Sequence, residues 1–314
     1  MAVGGRRDFV KLLVGGGGVA PLARAMGSGA GASAGGAKPL AHPDEARAAP
    51  AKGRMPVLFV GHGSPMNAIE DNVWSRAIRA LATRLPTPRA ILSISAHWWV
   101  RGTFTTGDTH PETIHDFGGF PQALYDVRYP APGDPALAQQ VVRLVGEGRA
   151  SVAASVANDW GLDHGTWSVL VHLRPAADVP VVQLSVDAGL PPQKLFDLGR
   201  SLAPLRDEGV LIMGSGNVTH NLRHAFSAAR SGDRETPAWA RAFDEDVARA
   251  LTQHDTRYLV GALETEAGRM AHPTPDHFLP LLYVAGAADA GDPLQMPITG
   301  FDMASLSMRA VLFG

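Results

Sequence analysis

Twelve histidines and no cysteine set the chemical options of this 314-residue chain. Without cysteine there is no disulfide, no thiolate nucleophile and no Cys-ligated zinc or iron–sulfur centre, so a metal would have to be held by His, Asp or Glu. Five histidines stand in settings suited to that. "VLFVGHGSPMN" runs into His62 between two glycines, "AILSISAHWW" carries His97, and "VLIMGSGNVTHN" carries His220. In each, an apolar run ends close to an imidazole, and in open α/β sheets the ligand site lies beyond the carboxyl ends of the strands. Distant segments could therefore bring three histidines together. His277, in "PTPDHFLPLLYV", is expected in the first turn of a helix opened by Thr274-Pro275. His164, in "DWGLDHGTW", is followed by glycine and a hydroxyl residue. Neutral imidazole is the commonest metal ligand and suits zinc and iron.

Each histidine also has a plainer reading. A single one at a strand end is more often a hydrogen-bonded loop residue, and Gly61 and Gly63 could mark only a turn that needs positive φ. "GSGN" lacks the Lys-Ser/Thr of a phosphate-binding P-loop and the spacing of a dinucleotide fingerprint. Ser64 does not sit in a Gly-x-Ser-x-Gly elbow, which makes it a poor nucleophile. Residue types and spacing alone leave a dispersed metal site and a set of unconnected turns both open.

The elements that would position these residues alternate along the chain. "MPVLFV", "AILSISA", "VPVVQLSV" and "GVLIMGSG" are short, β-rich and bounded by Gly, Pro or charge, as buried strands are. The C-terminal "SLSMRAVLFG" reads as a further strand, at a sheet edge because Arg309 interrupts it. Helices are expected over 72–84, 134–145, 192–205 and 238–254, with Asp134-Pro135 a strong helix start. Strands alternating with helices predict a three-layer α/β/α sandwich around a largely parallel or mixed sheet, as a single domain over 54–314.

Composition narrows the function classes. The chain is 45% hydrophobic, 18% charged and 7% aromatic, with a formal net charge of −2 that moves to about −5 once the first 34 residues are set aside. No basic surface invites nucleic acid. Residues 1–34 carry Arg6-Arg7, Phe9 and Lys11, then a glycine-diluted apolar run and Ala32-Ser33-Ala34. They resemble a twin-arginine export signal, with Gly5 and Val10 departing from its pattern. The run is too short for a stable membrane anchor. The signal implies the twin-arginine translocase as partner and a periplasmic location, or a cytoplasmic one if it does not function. Residues 35–53 read as an Ala/Pro-rich linker.

Six stretches together, "GHGSPMN", "SAHWW", "TIHDFGGFPQALYDVRYPAPG", "DHGTWSVL", "GSGNVTHNL" and "PTPDHFLPLLYVAGA", resemble the 4,5-DOPA extradiol dioxygenase family of the LigB-type (class III) ring-cleaving enzymes. The resemblance runs from about Met55 to Phe313. It implies a mononuclear metal centre with His62, His97, His220 and His277 as ligands, His164 as catalytic acid/base and His115 near the substrate, with the loop from Thr113 to Gly133 walling the pocket. It implies one divalent metal, Fe(II) for turnover with zinc as a possible bound ion, and a catechol and O2 as small-molecule partners. The implied product is of the muconic semialdehyde type. An all-histidine set departs from the two-His, one-carboxylate pattern of many non-haem iron oxygenases. Glu70, Asp71, Asp163 and Asp276 then become residues that orient a histidine or cap a helix. A His-ligated zinc hydrolase and a non-enzymatic binding member of the same superfold are the alternatives.

Overall fold

The computed structural model describes residues 53–314. The export-signal reading of residues 1–34, and all but the last residue of the linker, lie outside the described residues. The strands are β1 (Val57–Gly61), β2 (Ala90–Val100), β3 (Thr103–Thr106), β4 (Ala154–Ala157), β5 (Val181–Asp187), β6 (Val210–Gly216), β7 (Leu294–Ile298), β8 (Phe301–Asp302), β9 (Leu306–Ser307) and β10 (Ala310–Phe313). The helices are α1 (Val73–Ala82), α2 (Gln122–Tyr125), α3 (Pro135–Glu147), α4 (His164–Leu173), α5 (Pro192–Leu202), α6 (Leu222–Ser231), α7 (Ala238–Thr252), α8 (Thr256–Gly261), α9 (Glu266–Ala271) and α10 (Leu279–Ala287).

Eight strands form one mixed sheet in the order β4-β3-β5-β2-β6-β1-β10-β7. Its centre, β5-β2-β6-β1, is parallel, and β10 and β7 add antiparallel pairs beyond β1. Side chains alternate across the sheet with the period of a strand. Val57 and Phe59 join a core with α3, α5, α7 and α10, while Leu58 and Val60 join a second core with α1 and α4. Two apolar layers on one sheet make the expected three-layer sandwich. No helix among the described residues is long and apolar enough to cross a membrane.

Local chemistry fixes the helix starts. Asn72 accepts from the N–H groups of Trp74 and Ser75 while Ser75 Oγ accepts from Asn72 N–H, a reciprocal cap that begins α1. Asp134 caps α3 through Leu137 N–H at 2.9 Å, with Pro135 next, as expected. Three expectations change. The 192–205 helix ends at Leu202 and continues as tighter 3-10 turns to Glu208. The helix after Thr274-Pro275 begins only at Leu279, so His277 lies in the preceding turn: its carbonyl accepts from Asn217 N–H at 2.9 Å and is not free for a helical ladder. The C-terminal strand is not an edge, because β10 pairs with both β1 and β7. Arg309 is tolerated inside because Asp244 meets it, at 3.1 and 3.2 Å from Nε and also at Nη2.

Candidate metal centre

Strands β2, β6 and β1 are parallel neighbours, so their carboxyl ends open at one edge of the sheet. His62 follows β1 directly, its N–H held by the Gly216 carbonyl at 3.0 Å. His97 lies on β2 beyond Ser95, the last residue paired with β6, in the segment where pairing with β5 slips register. His277 arrives because Gly216, ending β6, has no side chain: a Cβ there would stand 2.1 Å from the His277 carbonyl oxygen. His164 is the first residue of α4, whose cap Asp163 accepts from Thr166 N–H at 3.1 Å. His220 lies beyond β6, tied by its N–H to the Ala271 carbonyl at 3.0 Å.

These five rings form one cluster. His62, His97 and His277 stand 5.0 to 5.2 Å apart between ring centroids. His164 packs on His97 at 3.8 Å, and His220 stacks flat on His277 at 3.4 Å. The two outer rings thus flank the three inner ones. Among the described residues, ligand atoms of His62, His97 and His164 all lie within 4.8 Å of one another. That compact set includes His164, whereas the resemblance implies His220 and His277 beside His62 and His97. His220 makes its ring contact with His277 alone within the cluster.

The hydrogen bonds decide where the imidazole protons sit. Ser215 Oγ donates its proton to the Gly165 carbonyl at 2.6 Å, so toward His62 Nδ1, 2.9 Å away, it accepts. His62 therefore carries its proton on Nδ1 and a lone pair on Nε2. His97 Nδ1 lies 3.3 Å from the Asp116 carboxylate, whose charge favours the proton on that nitrogen and the lone pair on Nε2. His62 Nε2 and His97 Nε2 stand 3.2 Å apart. Two lone pairs at that separation repel unless a cation lies between them, and nitrogens bound to one ion at ordinary metal–nitrogen lengths sit about 3.0–3.4 Å apart. His277 Nδ1 donates to Asp276, and His164 Nδ1 donates to Asp116 at 2.9 Å, so both also turn Nε2 away from a carboxylate. Ligating histidines are usually held in this way by their second nitrogen. The donor set fits one divalent metal.

Proton affinities follow from the same contacts. Burial first, then the neighbouring imidazoles, holds His62 well below the ordinary histidine range. Burial does the same to His97 and His220, helped by His164 at the first and His277 at the second. For His164 burial works downward, but the facing Asp116 carboxylate outweighs it and the pKa is raised. Burial opposes ionisation of Asp116, yet His164 and His97 hold it below the usual carboxylate range. Burial and the Asp116 charge push Asp163 up to about 6.

An aromatic wall stands beside the His164 end. Phe117 packs edge-on to His164 at 5.4 Å and contacts Phe120 and Tyr125 at 5.3 and 5.2 Å. His115 belongs to this wall, 5.5 Å from the Trp167 ring, and its Nε2–H donates to the Val127 carbonyl at 3.0 Å. Asp276 orients a histidine and Asp163 caps a helix, as read from sequence. Glu70 and Asp71 do neither: Glu70 accepts from Asn72 Nδ2, and Asp71 pairs with Arg76 and Arg79. The two glycines have different reasons: a Cβ on Gly61 would stand 2.7 Å from the Ser307 carbonyl oxygen, whereas Gly63 takes φ +62° and a Cβ there would meet the flexible end of the Met308 side chain. Sequence reasoning missed Asp116 and Ser215 as site residues, and took in Phe117 only as part of the loop from Thr113 to Gly133 expected to wall the pocket. Asp116 lies inside "TIHDFGGFP", where the histidine was the only residue singled out for a role of its own.

Comparison with known proteins identifies the family. Residues 56–305 match the family model described as the catalytic LigB subunit of aromatic ring-opening dioxygenase. A 4,5-DOPA dioxygenase extradiol of Escherichia coli (strain K12) is 49% identical over 265 residues, covering 83% of this chain and 95% of that protein. A 4,5-DOPA dioxygenase extradiol of Beta vulgaris is 39% identical over 262 residues, 82% of this chain and 95% of that one. A crystal structure of an uncharacterized protein from Escherichia coli K12 superposes with a TM-score of 0.71 at 44% identity, covering 83% of this chain and all of that one. The chain belongs to the LigB family and is an extradiol ring-opening dioxygenase.

Proposed function

We propose that this enzyme opens a catechol ring beside its diol with one divalent metal, Fe(II) in turnover, to give a muconic semialdehyde-type product. The observation that carries the reading is the approach of His62 Nε2 and His97 Nε2 to 3.2 Å within the histidine cluster, a separation that two ligands of one cation would have. His62, His97 and His277 are the proposed ligands, with His220, stacked on His277, as a fourth donor. The names of the Escherichia coli and Beta vulgaris relatives support DOPA, or a catechol like it, as substrate.

A bound divalent metal would supply Lewis acidity toward the diol oxygens and, as Fe(II), electrons for the reaction with O2. The chain's own residues do the rest. The aromatic wall led by Phe117 gives the ring a flat apolar seat on the His164 side. His164 is proposed as acid/base because it lies between that wall and His97. Its Nδ1–H is held by Asp116, so Nε2 is the atom free to take a hydroxyl proton and return it as the ring opens.

Anaerobic Fe(II) loading followed by oxygen-electrode assays on DOPA and a panel of other catechols tests the reaction, with zinc-loaded protein beside it. Oxygen uptake coupled to a yellow product is expected. No uptake with any diol, together with hydrolysis by the zinc form, would make the chain a zinc hydrolase. The roles are tested separately: His164→Ala should retain the metal while kcat falls by about 10²–10⁴-fold. Loss of metal from that variant would make His164 a ligand.

The leader supports a second proposal, that the enzyme leaves the cytoplasm folded and metal-loaded through the twin-arginine translocase. Replacing Arg6 and Arg7 by Lys should strand it in the cytoplasmic fraction; unchanged export would contradict the proposal.

A further inference from the structure

We propose that Asp116 is a positioning residue shared by two rings, holding metal ligand His97 with one contact and acid/base His164 with two others. The inference rests on the roles proposed above for those histidines. One carboxylate oxygen, Oδ2, meets both Nδ1 atoms, at 2.9 Å from His164 and 3.3 Å from His97. The other oxygen, Oδ1, accepts the backbone N–H of His164 at 2.8 Å, fixing the start of α4 to the same side chain. The two rings pack at 3.8 Å with this carboxylate at their shared edge, and the Asp116 side chain is only 8% exposed. A carboxylate so placed favours an Nδ1 proton on both rings, through hydrogen bonds to His164 and through its charge beside His97. The metal-side nitrogen and the proton-carrying nitrogen are therefore positioned by one group.

The segment carrying Asp116 is built to hold it still. Ile114 N–H donates to the Leu162 carbonyl at 2.7 Å, and Trp167 Nε1–H donates to the Ile114 carbonyl at 2.8 Å. Thr113 Oγ1 accepts from Tyr129 N–H at 2.9 Å. Phe117, the next residue, heads the aromatic wall. Asp116 thus also ties that wall to the histidine cluster.

Asparagine is the informative replacement because it keeps the shape. Its amide NH₂ must face either the His164 backbone N–H or the two imidazole N–H groups, donor against donor in both orientations. Affinity of apoprotein for Co(II) would be measured by chelator competition, and kcat and KM for a catechol at saturating Fe(II), in wild-type and His164→Ala backgrounds. Asp116→Asn should weaken Co(II) binding about 10–100-fold in both backgrounds, acting through His97. It should lower kcat about 10²-fold in the wild-type background, with KM within about threefold, and by less than about threefold more once His164 is gone. Unchanged affinity would overturn the His97 contact. A kcat restored by saturating metal, or lost equally in both backgrounds, would overturn the His164 contact. Should Asp116→Asn not fold, Asp116→Ser, too short to reach either ring, gives the same readings. If the wild type turns over no catechol, the functional reading fails and the His164 contact with it, while the affinities still decide His97.

Discussion

At the scale of single residues, the centre depends on which nitrogen of each imidazole is protonated, and that is set by hydroxyl, carboxylate and carbonyl partners. Ser215 has the simplest of these roles. Its hydroxyl passes one hydrogen bond to the Gly165 carbonyl and receives one from His62 Nδ1. Ser215→Ala leaves His62 Nδ1–H buried without an acceptor and frees the ring to change tautomer. Metal affinity of the apoprotein should fall about 10-fold or more, and stability by about 1–3 kcal/mol for the buried group left without its partner. Chelator competition would check it, and unaltered affinity would show that Ser215 does not fix His62. The five histidines stood out as candidates in the sequence because imidazole is chemically distinctive and strand-then-histidine occurs three times, while their separate roles came only from the family resemblance. Ser215 and Asp116 did not stand out, because serine and aspartate serve so many ends that only a contact across the fold identifies their task. Ser215 lies 153 residues from His62, and Asp116 lies 48 from His164.

Elements show the same division. The central strands β1, β2, β5 and β6 and the helices α1, α3, α5 and α7 could be read from periodicity, whereas α6, though one face of it is buried, was not. β3, β4 and β7 are too short or too weakly patterned to be recognised. α4 and α10 are buried nearly all round, so they lack the polar stripe that marks a helix. β10 was misjudged as an edge because the position of Asp244, on α7, could not be known. A buried guanidinium with its carboxylate is costly to break and much less costly to replace as a pair. Arg309→Met alone, which leaves Asp244 unpaired in the core, should destabilise the protein by about 3–5 kcal/mol in denaturant unfolding. The double change Asp244→Leu with Arg309→Met should recover most of that loss. Equal instability of single and double variants would mean that the pair contributes by shape and not by charge.

Across the whole molecule, the buried histidines link stability to pH. His272 donates Nε2–H to the Val218 carbonyl at 2.8 Å, its Nδ1 has no partner in the structure, and burial pulls its pKa down to about 4. In the unfolded chain it would titrate near ~6.5. The unfolded state therefore binds the proton first, so stability is full above that value and falls as pH drops toward about 4, by about 3 kcal/mol for this group. His62 and His97 act in the same direction in the apoprotein. Denaturant midpoints of apo His272→Gln should fall less steeply than those of the wild type over that interval; parallel curves would remove His272 as a cause. In the proposed function, sheet, wall and cluster together serve the insertion of O2 into an aromatic ring. The most direct test supplies Fe(II)-loaded enzyme and a catechol with isotopically labelled dioxygen and follows the label by mass spectrometry. Both labelled atoms should appear in one ring-opened product cleaved beside the diol. A product carrying no label, or cleaved between the two hydroxyl-bearing carbons, would contradict extradiol dioxygenation.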